Sequence, residues 1–218
     1  METVEQRHRL TVEAIAGAGD WLTGEERVDV WREARDAQSN EIDTAKKAAL
    51  SPTAVARSHP ASASLNATEV DVVHRVASDP GRLTKTWADT AIAAIGEERY
   101  TELVGVTAMS RALDRFNVAM GHALTALPVP VEGEPAKVRP DTVGDVGAWV
   151  SQTLAIGRAN VSRATSLVPV TDGQWRALVD TCYSHGESFA DLAWDRPLSR
   201  PQVELVAART TVLNECFY

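Results

Sequence analysis

Apolar residues recur at intervals of three and four along most of the chain, and no segment shows sustained alternation of apolar and polar residues. The first pattern is typical of helices that bury one face, whereas the second would indicate strands. The predicted fold class is therefore all-α. The predicted helices cover residues 3–17, 23–37, 41–50, 66–78, 83–95, 97–123, 141–168, 171–190 and 199–213.

Capping boxes indicate where three of these helices begin, because the two side chains of such a box satisfy the free N–H groups of a first turn. In each box a Ser, Thr or Asn is followed three residues later by Glu or Gln. The three boxes are Thr23 with Glu26, Asn66 with Glu69, and Ser199 with Gln202.

The segment 127–140 separates two helical parts. It contains Pro128, Pro130, Pro135 and Pro140 together with Gly133, and such a composition excludes a helix. The predicted organisation is a first part at 1–126, a Pro-rich tether at 127–140 and a second part at 141–218. Three glycines in the predicted helix 141–168, at 144, 147 and 157, indicate either close helix contacts or a break near Gly157.

Composition excludes some classes of function. The 218 residues carry a net charge of −8, which argues against a nucleic-acid partner, since that would need a basic patch. No apolar run approaches the ~18 residues of a membrane span, and the acidic start does not resemble a signal peptide. We expect a cytoplasmic protein with no membrane partner. Cys182 and Cys216 are more often reduced than disulfide-bonded in such a chain.

The closing segment carries the sharpest chemical signal. Glu204 lies within the otherwise apolar run of the helix that begins at Ser199, and Cys216 follows 12 positions later. On one continuous helix these residues would be about 18 Å apart, so they can cooperate only if the chain bends near Asn214. Cys216 would then lie in the first turn of a new helix, where the macrodipole lowers a thiol pKa. The alternative is a buried Glu204 paired with Arg or Tyr and an ordinary terminal thiol.

A weak internal repeat relates the two ends of the chain. A shift of 176 residues places Ser199 over Thr23 and aligns their capping boxes. In this alignment Val28 takes the place of Glu204, and Asn40 takes the place of Cys216. If the duplication is real, the first copy keeps the frame without the reactive groups.

Glu204, eleven intervening residues and Cys216 resemble the motif of the alkylhydroperoxidase D-like, or carboxymuconolactone decarboxylase, superfamily. That motif is Glu, eleven residues, Cys-x-x-Cys, three residues and His. Residues 113–121 and 158–169 also resemble segments of the peroxidase-related members, so the likeness covers about 22–121 and 141–218.

This resemblance implies a helical bundle with two related parts that assembles into homo-oligomers, as dimers, trimers or hexamers. It also implies thiol chemistry without a cofactor, with a protein or small-molecule thiol as reductant. Glu204 would act in a proton relay and Cys216 would be the first catalytic cysteine, so these two are the candidate catalytic residues.

The chain departs from the family motif at its end. The second cysteine would follow Tyr218 directly and the histidine four positions later, while the first repeat offers only Asn40, Asp43 and Lys47 there. Three explanations remain open: a UGA codon for selenocysteine read as a stop, a boundary chosen for expression, and a natural loss.

We predict a peroxidase-like chain that is inactive as it stands. A non-catalytic oligomerisation or ligand-binding protein is the alternative, and a carboxymuconolactone decarboxylase-like lyase is a weaker one.

The histidines predict no metal site. Cys182 and His185 have the separation of a chelating pair, but no second pair is evident, which favours a packed cysteine and a surface histidine. His59, His74 and His122 are scattered along the sequence. A thiol site near the terminus additionally requires Glu204 to face a pocket rather than solvent.

Overall fold

The computed structural model describes residues 2–157, 160–182 and 197–213. These residues contain eight α-helices: α1 Val4–Ala16, α2 Gly24–Asp36, α3 Glu41–Ala48, α4 Ala67–Ser78, α5 Lys85–Ile95, α6 Glu97–Ala119, α7 Pro169–Cys182 and α8 Arg200–Leu213. A single antiparallel pair, β1 Val143–Gly144 and β2 Gln152–Thr153, is the only sheet among them. The all-α fold class is confirmed apart from this short hairpin. None of the helices in the described ranges is both long and apolar enough to cross a bilayer.

Helices α2, α4 and α6 pack against one another and form the centre of the molecule. Their facing side chains are fully buried, with Trp31 on α2, Val73 on α4 and Leu103 on α6 among them. Helix α5 covers α4 and α6, while α1 packs on α2 and α7. The apolar periodicity read from the sequence therefore corresponds to the buried faces of these helices.

Two of the three predicted capping boxes form in full, whereas at the third the amide and the hydroxyl of Ser199 both donate to Gln202 Oε1. Thr23 Oγ1 accepts a hydrogen bond from the Glu26 amide at 3.2 Å, and Glu26 Oε2 accepts one from the Thr23 amide at 2.7 Å. Asn66 and Glu69 make the equivalent pair of bonds at the start of α4. Each box satisfies two N–H groups that the first turn of a helix leaves without intrahelical partners.

Segment 127–140 contains no helix, as predicted, and it lies against the first helices. The amides of Val131, Ala136 and Lys137 donate to the carbonyls of Ala16, Gly19 and Asp20 at 2.8, 3.1 and 2.7 Å. Gly24 makes this approach possible. A Cβ atom there would lie 2.2 Å from the Ala16 carbonyl oxygen and 2.6 Å from that of Val131.

The predicted helix over 141–168 is wrong. Its described residues form the hairpin, irregular chain and a short 3₁₀ turn at Asn160–Arg163. Gly147 and Gly157 have φ angles of 76° and 100°, which lie in the left-handed region that an α-helix cannot contain. The glycines therefore mark turns and not close helix contacts.

Helix α7 joins the core of the first part. The Asp20 carboxylate accepts hydrogen bonds from the amides of Val170 and Thr171, each at 2.9 Å, and so caps the start of α7. Leu178 is buried in the same cluster as Leu103. The division at 127–140 stays a prediction, and α7 packs across it.

Helix α8 begins where the Ser199 capping box placed it, but it buries none of its residues. Leu205 is 71% exposed, and Val206, Val212 and Leu213 are exposed as well. These apolar side chains therefore cover no core within the described part of the chain.

Candidate functional site: a buried histidine–carboxylate cluster

The structure describes only one of the two residues selected from the sequence, so their pairing stays a prediction. Glu204 lies on α8 with a side chain 45% exposed, and its carboxylate is 3.7 Å from the Arg200 guanidinium one turn earlier. This excludes the buried carboxylate that the alternative interpretation required. Cys216 lies outside the described residues, so its surroundings stay untested.

Cys182 is exposed and not packed, contrary to the sequence interpretation. Its Sγ lies 3.6 Å from His8 Nε2, and it belongs to no candidate metal-binding group among the described residues. His185, the second half of the predicted chelating pair, lies outside the described residues.

A buried cluster of two histidines and three carboxylates occupies the space between α2, α3 and α4. This histidine cluster consists of Glu33 on α2, Asp43 in the first turn of α3, His59 in the loop before α4, and Asp71 and His74 on α4. Asp71 and His74 are three residues apart and therefore share one helix face. Folding brings together residues that lie up to 41 positions apart along the chain.

The cluster forms a continuous row of hydrogen bonds. Asp43 stands in the middle, with its Oδ2 atom 3.2 Å from His59 Nε2 and 2.6 Å from His74 Nδ1. The outer nitrogens face the other two carboxylates: His59 Nδ1 is 3.0 Å from Asp71 Oδ1, and His74 Nε2 is 3.0 Å from Glu33 Oε2. Carboxylate and imidazole therefore alternate along the whole row.

Three neighbouring side chains complete the surroundings. Lys46 Nζ donates to Asp71 Oδ1 at 2.8 Å, and Trp87 Nε1 donates to Asp71 Oδ2 at 3.0 Å. The Ser78 hydroxyl lies 3.1 Å from Asp43 Oδ1. All oxygen atoms of the two aspartates thus have partners, as buried carboxylates require.

Burial and hydrogen bonding act in opposite directions on the histidines. Burial favours the neutral imidazole of His74, but its hydrogen bonds to Asp43 and Glu33 outweigh that effect and raise its pKa to about 9. His59 behaves alike: burial lowers its pKa, and the bonds to Asp43 and Asp71 leave it above the usual value. In the absence of a metal ion both rings therefore favour the doubly protonated form.

The carboxylates respond to the same contacts. Burial acts to raise the pKa of Asp43, but the hydrogen bonds with His59 and His74 hold that pKa well below its ordinary range. Asp71 shows the same balance, with its pKa lowered by His59, Lys46 and Trp87 against the effect of burial. Both aspartates are thus ionised near neutral pH.

The middle of the cluster is closed, whereas its two ends reach clefts. Asp43, His59 and His74 are almost completely buried. Asp71 lines a cleft of about 120 Å³ together with Lys46, Arg75 and Trp87. Glu33 lines a second cleft of about 510 Å³, next to Asp29 and Ser62. Solvent therefore reaches the outer carboxylates but not the central three residues.

Sequence reasoning missed this cluster, because its members come from four separate segments. One local signal was present: Asp71 and His74 have the three-residue spacing that places two side chains on one helix face. In the sequence, Asp43 stands out only because it takes the place of the second motif cysteine in the first repeat. The hydrogen bond between His59 and Asp43 is a tertiary contact, and no local sequence pattern predicts it.

No protein-family model, no curated protein and no solved structure matches this chain. The resemblance to the alkylhydroperoxidase D-like superfamily therefore stays a hypothesis, based on the residues from which it was read.

Two other buried carboxylates have structural partners. Asp114 accepts two hydrogen bonds from Arg35, at 2.8 and 2.7 Å, and one from the Trp31 indole at 3.1 Å. Glu102 accepts from the backbone amides at the turn between α1 and α2, and Arg27 lies 3.6 Å away. Both join helices together, and neither lines the two clefts at the ends of the histidine cluster.

Proposed function

We propose that the protein is a thiol-dependent peroxidase or disulfide oxidoreductase of the alkylhydroperoxidase D-like type, inactive as the 218-residue chain. The observation that carries this proposal is the spacing of Glu204 and Cys216, with Glu204 on a regular helix, α8. Glu204 would pass a proton, and Cys216 would supply one of the two thiols.

The reaction needs two thiols. A Cys216 thiolate would attack the O–O bond of a peroxide, taking one oxygen as a sulfenic acid and releasing an alcohol or water. A second thiol would then displace water from that sulfur and close a disulfide, which an external dithiol reduces. A chain with only the first motif cysteine cannot close this disulfide and also lacks the nearby histidine.

The exposure of Glu204 adds a condition to this proposal. A carboxylate that relays protons is most effective when its pKa lies near neutral pH. Burial away from water raises the pKa of a carboxylate toward that range. Among the described residues, Glu204 is instead half-exposed beside Arg200. The proposal therefore requires α8 to be covered by a second copy of the chain, in line with the homo-oligomers that the resemblance implies.

The test compares the 218-residue chain with a chain extended to complete the motif, by a cysteine directly after Tyr218 and a histidine four positions later. We expect peroxide consumption with dithiothreitol only from the extended chain. The matched control carries serine in place of the added cysteine and should be inactive. Peroxide turnover by the 218-residue chain, or an inactive extended chain, would contradict the proposal.

A non-catalytic helical oligomer is the second candidate, and the exposure of both Glu204 and the apolar residues of α8 favours it. An extended chain that assembles through α8 yet consumes no peroxide would support this alternative. In that case Glu204→Gln would leave every measured property except surface charge unchanged.

A further inference from the structure

Three atoms that bind transition metals converge in the middle of the histidine cluster. They are Asp43 Oδ2, His59 Nε2 and His74 Nδ1, and all lie within 4.8 Å of one another. Ligands held about 2.0–2.2 Å from a tetrahedral Zn²⁺ ion are about 3.4 Å apart. Asp43 Oδ2 lies 3.2 Å from His59 Nε2 and 2.6 Å from His74 Nδ1, and these distances approach that spacing. Outward shifts of less than about 1 Å would admit an ion.

The outer nitrogens supply a second and independent observation. A histidine that binds a metal ion through one nitrogen usually donates its other N–H to a carboxylate, which fixes the ring and its tautomer. Both histidines have this partner: Asp71 for His59, and Glu33 for His74, each at 3.0 Å. The inner nitrogens of both rings then point toward Asp43 with a lone pair available to a metal.

Charge balance also fits a divalent ion. With neutral imidazoles, the three carboxylates and Lys46 leave the buried cluster with a charge of about −2. One divalent cation restores neutrality without any protonated imidazole, and buried charges are stable only when compensated. A monovalent ion would leave a net charge behind.

The donor set decides the class of metal. Two imidazole nitrogens and one carboxylate suit Zn²⁺, Co²⁺, Ni²⁺ or Fe²⁺, whereas Mg²⁺ and Ca²⁺ prefer oxygen ligands throughout. We propose that Asp43, His59 and His74 bind one divalent transition-metal ion of the Zn²⁺ class, with Glu33 and Asp71 orienting the histidines. Such an ion would join α3, α4 and the loop before α4.

The experiment measures metal binding to the full 218-residue chain after EDTA treatment and dialysis. With Zn²⁺ as the probe, we expect one equivalent per chain by elemental analysis and a higher melting temperature. With Co²⁺ as the probe we expect visible absorption that the metal-free chain lacks. These measurements on the unaltered chain need no variant that risks misfolding.

Variants then locate the ion. Asp43→Asn and His74→Gln should each weaken Zn²⁺ binding by at least ~100-fold, and Glu33→Gln by ~10–100-fold, the usual effect of losing a carboxylate behind a histidine ligand. His122→Gln, which changes an exposed histidine, and Cys182→Ser are the matched controls and should bind Zn²⁺ normally. Circular dichroism verifies that each variant is folded.

Two results would overturn the proposal. One is the absence of bound Zn²⁺ and Co²⁺ from the folded chain at micromolar concentrations. The other is stoichiometric binding that His74→Gln leaves intact while Cys182→Ser or His122→Gln removes it. Neither result bears on peroxide turnover, so this proposal and the proposed function fail separately.

Discussion

At the scale of single residues, the position of each histidine between two carboxylates decides its charge in the absence of metal. An imidazole nitrogen that faces a carboxylate oxygen at 3 Å is stabilised as an N–H donor, and both nitrogens of His59 and His74 face one. The metal-free cluster is therefore a row of alternating positive and negative groups whose contribution to folding depends on pH.

We predict that the metal-free protein is most stable near pH 5–6.5. The folded-state pKa of His74, about 9, lies above its value in the unfolded chain, so its stabilisation is complete below about pH 6.5 and is lost as the pH rises toward 9. The loss is on the order of 2–3 kcal/mol. Asp43 and Asp71 have lowered pKa values, so their stabilisation is lost as the pH falls below about 4.

Urea unfolding in EDTA at a series of pH values measures this curve. His74→Gln should flatten the alkaline side and leave the acidic side largely in place, while His122→Gln should change neither. A free energy of unfolding that is constant between pH 6.5 and 9 would show that folding does not raise the pKa of His74.

The contrast between predicted and missed residues has a physical origin. Each capping pair interacts within one helical turn, Thr23 with Glu26 and Asn66 with Glu69. The spacing of each pair in the sequence therefore already determines the contact. The bond between His59 and Asp43 depends on how the loop before α4 folds back over α3, and no local spacing encodes it.

At the scale of helices and segments, the same distinction separates the helix starts from the long-range packing. The capping boxes predict the starts of α2 and α4 correctly. The predicted helix over 141–168 is wrong, because Gly147 and Gly157 have positive φ angles that the sequence alone does not determine. The Pro-rich segment was recognised as non-helical, but its docking on Ala16 and Gly24 follows only from the folded structure.

Two glycines allow a matched test of this docking. Gly24→Ala would place a methyl group 2.2 Å from the Ala16 carbonyl oxygen and 2.6 Å from that of Val131, where backbone atoms cannot yield without movement of the segment. We expect a loss of about 1–3 kcal/mol in the free energy of unfolding. Gly173→Ala in α7 meets nothing within 4 Å and should stabilise the helix by up to about 1 kcal/mol.

Thermal or urea unfolding of the two variants gives the comparison directly, since the substitution is identical and only the surroundings differ. Equal effects of the two changes would mean that the segment 127–140 does not press against α1 and α2 in solution.

At the scale of the whole molecule, the described residues divide into a bundle with a shared core and a helix outside it. Helices α1, α2, α4, α5, α6 and α7 contribute to one buried cluster, which includes Ile15, Trp31, Leu103 and Leu178. Helix α8 contributes nothing to this cluster and presents several large apolar side chains to solvent, an arrangement that monomeric proteins rarely retain.

We therefore predict that the chain forms a homo-oligomer through α8. Leu205→Glu should weaken self-association by about 10–100-fold, because burying one leucine contributes roughly 1.5–3 kcal/mol. Leu154→Glu is the matched control, since Leu154 is also exposed but lies in the hairpin segment.

Light scattering coupled to size-exclusion chromatography gives the mass of each protein. The prediction requires a mass above 23.5 kDa for the unaltered chain and for Leu154→Glu, with a shift toward the monomer for Leu205→Glu alone. A monomeric unaltered chain would contradict it and would also leave Glu204 without the cover that its proposed role in proton transfer requires.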